Sequence, residues 1–508
     1  MLNPGGLVTP PPLAPPLSLT LSSWAFFTTR ATSAMLLLDL PNELLQNISE
    51  NLESERDVNV IAQANCRLNR LLDSYLYRYN VQHSGSSALL WAAQHGQEAT
   101  ARKLLREKAN IQGTNNDDQA PLLLAAEKGH KQVVELLIDK GADVNAQGGR
   151  YSNALQAASY QGHEAVVRML LNKGAEVNAQ GGYYSNALQA VSYQGHEAVV
   201  RMLLNKGAEV NAQGGYYGNA LQAASAGGHK AVVKMLLDKC ADVDAQGGRY
   251  NNALEAASAG GHEAVVNVLL DKGADVNAQG GDCWNALQAA SAGGHEAVVK
   301  VLLNKGADVN AQGGFYAYAL QAASAGGHGA VVRMLLDKDA NVNAQGGRYG
   351  NALQAALEGG NEAVVRMLLD KGADVNAQGG DYGNALQAAS AVGHEAVVKM
   401  LLDKGANINA QGGEYSNAFQ AASSGGHEAV VKMLLDKGAD INAQGGRYGN
   451  ALQAASARGH KAVVKVLLDK GAKVNAQGGE YSNAFQAASA RGEKAVVNLL
   501  VAWGAESS

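Results

Sequence analysis

Ten histidines, His130, His163, His196, His229, His262, His295, His328, His394, His427 and His460, fall on one grid of 33 residues. Imidazoles at fixed spacing suggest a metal site first. Zinc is held at about 2 Å per bond, whereas helices pack at about 8–10 Å, so histidines one repeat apart cannot share an ion. A structural place at a turn between helices is the expectation. His163-Glu164-Ala165-Val166-Val167 starts like the zinc-binding His-Glu-x-x-His pattern, but valine takes the second histidine position. Gly346-Gly347-Arg348-Tyr349-Gly350 has the look of a phosphate loop without the Gly-Lys-Ser/Thr that would complete one. Asn47-Ile48-Ser49 matches a glycosylation sequon, but it falls in a predicted helix. Cys66, Cys240 and Cys283 lie far apart and form no Cys-x-x-Cys pair, as expected in a reducing compartment without a disulfide or zinc framework. No nucleophile is paired with a base. The chain is expected to carry no catalytic residues, cofactor or metal.

The elements that hold these residues repeat. Asn153, Asn186, Asn219, Asn252, Asn285, Asn351, Asn384, Asn417, Asn450 and Asn483 lie on a second 33-residue grid, with Tyr318 in the gap. Thirteen units are expected: two divergent ones, about 84–114 and 115–147, then eleven from 148 to 508. Asn153-Ala154-Leu155-Gln156 reads as a capping box, in which Asn accepts an orphan backbone N–H and Gln reaches back to the cap. Ala154, Leu155, Ala157 and Ala158 then give a short helix with a small-residue face, ended by Gly162. A second helix is predicted over His163–Lys173, with Glu164 and Lys173 placed to suit its dipole and an apolar stripe of Val166, Val167, Leu170 and Leu171. Gly174 follows at the usual left-handed position. Neither helix can bury its apolar face alone, whereas stacked copies can, so an all-α solenoid is predicted.

Composition narrows the partners. Charged residues make up 17% of the 508 and the net charge is −5, which lacks the basic excess of a duplex-binding protein. No run approaches the ~20 apolar residues of a membrane span. A soluble chain of the cytoplasm, the nucleus or both is expected, monomeric as an array. Residues 1–34 hold six of the eight prolines and a single charge, Arg30, so this Pro/Ser/Thr-rich segment is expected to be disordered. A signal peptide is disfavoured by the missing basic region and by Pro10 to Pro16. A start at Met35, where patterned sequence begins, is the other reading.

The second half of each unit, Gly-His-x-x-Val-Val-x-x-Leu-Leu-x-Lys-Gly-Ala-Asp-Val-Asn-Ala, resembles the ankyrin repeat, and the period agrees. The first half departs from it, with Asn-Ala-Leu-Gln where that family usually has Thr-Pro-Leu-His. The second unit keeps Ala120-Pro121-Leu122. The resemblance covers about 84–508 and implies helix-turn-helix units joined by finger turns. It also implies a binding face made by those fingers and the ends of the first helices.

Ahead of the array, residues 38–72 pattern as two helices with apolar faces, more apolar surface than about 40 residues can hide alone. Leu40-Pro41-x-Glu43-Leu44-Leu45-x-x-Ile48, with Leu52 four residues on and Arg67-Leu68 near the end of the second helix, resembles the F-box. That resemblance implies a domain over 35–83. It implies that Leu40, Pro41, Leu44, Leu45, Ile48, Leu52, Ile61 and Leu68 dock on the Skp-type adaptor of a cullin ubiquitin ligase. The array would then select the protein to be ubiquitinated. The alternative is an interaction scaffold with no ligase link, in which 38–72 is a helical cap over the first repeat.

Comparing units separates framework from variable positions. The residue after Gly-Gly varies: Arg150, Tyr183, Tyr216, Arg249, Asp282, Phe315, Arg348, Asp381, Glu414, Arg447 and Glu480. The next is Tyr in every unit from 148 on except at Cys283, and is read as framework. Together with Tyr160 and Tyr193 at the ends of first helices, the variable positions are the expected target contacts. Their mixed signs suit a protein or peptide surface better than a polyanion.

Overall fold

The computed structural model describes residues 77–78, 80–82, 87–283 and 285–506. The chain divides into two units, one of Met1–Ala88 with Arg106–Ala109, the other of Leu89–Leu105 with Asn110–Ser508. In the smaller, Arg78 pairs with Glu107 at 3.2 Å and the Ala88 N–H donates to Asn80 Oδ1 at 3.3 Å. The expected adaptor contacts, Leu40 to Leu68, lie outside the described residues.

Thirteen helix pairs follow one another, from Ser87–Gln94 with Glu98–Arg106 to Ala484–Ala490 with Lys494–Ala502, so the predicted helical solenoid is what forms. The unit opening at Gly148 shows why. The Gly148 N–H donates to Ser152 O at 2.6 Å, closing a finger turn. Asn153 sits in extended backbone and its side chain accepts the Gln156 N–H at 2.9 Å, fixing the start of the inner helix Ala154–Gln161. Gly162, at φ 76°, ends it, and the outer helix Glu164–Asn172 runs back. The predicted His163 and Lys173 are the residues flanking that helix. Leu155, Ala157 and Ala158 of the inner helix and Val166, Val167 and Leu170 of the outer one are buried in every sense that matters to packing, none above 2% exposed. Alanine at the inner positions lets neighbouring inner helices approach closely, and Val-Val on the outer helix fills the remaining layer.

One part of the sequence reading is corrected. Gln156 does not return to its cap. Its Nε2 donates forward, to Ala179 O at 3.2 Å and Ser185 O at 3.3 Å, the second lying in the next finger. The spacing is that of a capping box, but Gln156 does not reach the cap N–H, because stacking places carbonyls of the following turn within reach of the buried amide. The same bonds recur from Gln189, Gln222, Gln288, Gln321, Gln354, Gln387 and Gln453. A second ladder runs through the turns after the outer helices. Asn145 donates to Gly174 O at 3.3 Å and accepts the Glu176 N–H at 2.9 Å. On the outer face, Lys173, Lys305 and Lys404 each reach an aspartate one unit back, Asp139, Asp271 and Asp370, at 2.8–3.1 Å.

The histidines do what their spacing suggested. His163 Nε2 donates to Glu127 O at 3.0 Å and His295 Nε2 to Ala259 O at 3.0 Å, each satisfying the end of the preceding inner helix. Burial lowers the His229 pKa.

Candidate binding surface

The finger turns stand in register because of their paired glycines. Gly182 has φ 66°, and a Cβ there would come within 2.7 Å of Arg150 O, so only glycine lets one finger lie on the last. Backbone bonds then link the variable positions directly: Tyr183 N–H to Arg150 O, Tyr216 to Tyr183, Arg249 to Tyr216 and Asp282 to Arg249, at 3.0–3.3 Å.

Side chains along this row pair with each other. Arg249 lies with its guanidinium 5.6 Å from the Tyr216 and Tyr250 ring centres, donates to the Tyr216 hydroxyl, and pairs with Asp282 at 3.0 Å. Arg348 repeats the arrangement between Phe315 and Asp381, with Glu358 as a second acid. Arg447 pairs with Glu480 at 2.7 Å, which holds the Glu480 carboxyl below its usual range. All are solvent-exposed, so each pair contributes little to stability. The mixed signs read from sequence are thus a ladder of neighbours one period apart. Among the described residues, Arg150 and Glu414 are the charged finger positions with no ion pair.

The tyrosines separate into two layers. Tyr151, Tyr184 and Tyr217, the near-constant position, are buried and pack with Tyr160 and Tyr193 from the inner helices, at centroid distances of 4.8–5.2 Å for Tyr151–Tyr160, Tyr160–Tyr184 and Tyr193–Tyr217. Above them Tyr183 stacks on Tyr216 at 4.9 Å and 21°, and Tyr183 remains 38% exposed. Burial raises the phenol pKa of Tyr184 and Tyr217, and pushes that of Tyr183 up to about 12. Five of these rings therefore form the floor and wall of one aromatic patch, topped by Tyr183 and Tyr216 and flanked by Arg150, whose guanidinium lies 5.6 Å from the Tyr183 ring centre. Phe315 stands apart, half exposed above Tyr316.

Open grooves also lie between neighbouring outer helices, lined by Lys230, Lys234, Glu263, Asn267 and Asp271 in one case. They recur between Glu428–Asp436 and Lys461–Asp469 and between Glu362–Asp370 and Glu395–Asp403. That recurrence makes them a product of the period, with no convergent chemistry. Among the described residues no group of three His, Cys, Asp or Glu is placed to hold a metal, and no helix is long and apolar enough to cross a membrane.

The sequence reading missed Glu255. It occupies the ladder position that is glutamine in every other unit from 148 on, is fully buried, and its pKa is raised to about 8 by burial. Its signal was one acidic letter on the 33-residue grid.

A family model described as ankyrin repeats (3 copies) matches residues 59–148, 147–214, 189–280, 222–313, 256–346, 286–379, 320–412, 353–445 and 418–508. The first match takes in Ile61 and Leu68, while Leu40 to Leu52 fall before it. No curated protein matches the chain.

Proposed function

The chain belongs to the ankyrin-repeat family, and we propose that it holds a target protein on its finger row while residues 38–72 dock the adaptor of a cullin ubiquitin ligase. Ankyrin repeats are protein-interaction modules, so the array is a binding scaffold rather than an enzyme. The observation that carries the target site is the aromatic patch of Tyr183 and Tyr216 over buried Tyr184 and Tyr217, beside unpaired Arg150. Exposed tyrosine over a rigid base is the composition of an interface anchor. The paired arginines and acids further along present a surface of alternating sign, which governs orientation and encounter rate more than affinity.

The ligase link is supported by the Leu40-Pro41-x-Glu43-Leu44-Leu45-x-x-Ile48 pattern. Its test is capture of a purified Skp-type adaptor by the full-length chain. Leu45→Asp and Ile48→Asp, each placing a charge on the apolar face, are expected to abolish capture. Capture never seen, or unaffected by both, leaves the second reading, a scaffold in which the segment caps the array.

A further inference from the structure

The two ladders that join neighbouring units are built from amides, whose N–H groups donate to carbonyls of the following unit. Next to one unit, 247–279, both rungs are acids. Asp244 stands where the turn ladder has asparagine: it accepts the Asp275 N–H at 3.0 Å, but a carboxylate has no N–H for the Gly273 carbonyl, which Asn145 and its equivalents supply one unit on. Glu255 stands where the inner-helix ladder has glutamine. Its Oε1 accepts the Cys283 N–H at 3.3 Å and its Oε2 has no partner, although the residue is fully buried. The finger closes directly on it, since a Cβ on Gly281 would come within 2.6 Å of both carboxylate oxygens.

We propose that Glu255 makes the seam between its unit and the finger at 280–283 a proton-controlled joint, closed while the carboxyl is protonated and loosened when it is ionised. Protonated, the carboxyl can donate, as the glutamine amide does at this rung, and buries no charge. Ionised, it is acceptor only, with a single long N–H bond and no cation against it. The neighbouring inner helices, Ala220–Ala226 and Ala286–Ala292, carry no titratable residue, and the outer helix Glu263–Asp271 carries Glu263, Asp271 and no cation, both acids exposed. From the fingers, Asp282 and the Cys283 thiol face it, and Arg249 is engaged with Asp282, Tyr216 and Tyr250. Asp282 raises the Glu255 pKa further, after burial itself. An acid raised from its ordinary value to about 8 in the closed joint stabilises that state fully below the ordinary value, and the contribution is lost as pH climbs toward 8. The Arg249–Asp282 pair and the bond from the Asp282 N–H to Arg249 O cross this seam, so opening it interrupts the finger row there.

Hydrogen exchange on the full-length chain between pH 5 and 9, corrected for intrinsic rates, tests the joint. Protection of residues 278–287 is expected to fall by up to about tenfold per pH unit between roughly 5 and 8, one proton being involved, relative to the equivalent residues 311–320 beneath Gln288. Glu255→Gln restores the residue of the other ten units and is expected to flatten the dependence and raise protection at pH 8. Gln288→Glu is expected to create the same dependence at 311–320. Native protection that does not vary with pH, a variation that survives Glu255→Gln, or no new dependence in Gln288→Glu each overturns the joint.

Discussion

At the scale of single residues, the fold rests on buried amides more than on any charge. Gln288 shows what one rung does: its Nε2 donates to Ala311 O at 3.2 Å and Ala317 O at 3.0 Å, while its backbone N–H is taken by Asn285. Substituting alanine removes both bonds: it leaves the Ala311 carbonyl without its side-chain donor, and the Ala317 carbonyl with the Gly313 N–H alone. Gln288→Ala is expected to weaken that seam by about 1–3 kcal/mol, the usual penalty for orphaning buried polar groups. The measurement is local hydrogen exchange at 311–317, because a long array does not unfold in one step and a global midpoint would blur the effect. Unchanged protection there would mean that water replaces the amide without loss. His229 adds an opposite pH sense elsewhere. Its pKa is lowered by burial, so its contribution is present above the ordinary histidine value and fades as pH falls below it.

At the scale of elements, one unit gathers three departures from its neighbours. Ala317 takes φ 67° where the other fingers, Trp284 excepted, have Gly, Ser or Asn, Tyr318 supplies no side-chain cap, and Asp339 takes φ 62° at the position glycine usually holds. The inner helix Ala319–Ala325 keeps its neighbours' length, so packing holds it without the cap, whereas the outer helix Gly329–Leu336 is one residue shorter than the nine-residue outer helices on either side. A lost cap costs about 0.5–2 kcal/mol and a non-glycine left-handed residue about 1–2 kcal/mol. At pH 6, with Glu255 protonated, residues 313–345 are expected to exchange fastest among the interior units. Ala317→Gly with Tyr318→Asn, which recreates the Gly350-Asn351 of the next finger, is expected to restore the neighbours' protection; no gain would show that packing alone sets stability here. Helices, caps and the small-residue core were legible because each unit can be compared with ten others of the same period. The forward reach of Gln156 was not, since a capping box and a rung between units need the same two letters at the same spacing. Glu255 was legible as a letter only, because its meaning comes from burial under Gly281. The ion pairs of Arg249, Arg348 and Arg447 were on the page as acids 33 residues later, but only stacking in register makes 33 residues a contact.

At the scale of the whole molecule, a repeat array separates holding itself together from holding a partner, because units contact only their neighbours. That separation can be used at the aromatic patch. Tyr184 and Tyr217 are buried and belong to the stack, whereas Tyr183 and Tyr216 lie above them, so the upper pair can be removed without opening the inner layer. Losing one ring pair at a partly exposed site should change stability by about 0.5–1.5 kcal/mol, spread over a long array and barely visible in its melting. A hot spot contributes at least about 2 kcal/mol to binding. Tyr183→Ala with Tyr216→Ala is therefore expected to leave the thermal unfolding curve nearly unchanged while weakening a captured, purified target by about thirtyfold or more, measured by calorimetric titration. Reversing charge at Arg447 or Glu480 should instead alter the association rate and its salt dependence, because those pairs are exposed. An affinity that survives loss of both tyrosines would move the contact surface away from this patch, first to residues 379–508, where Glu414 is the charged finger position without an ion pair.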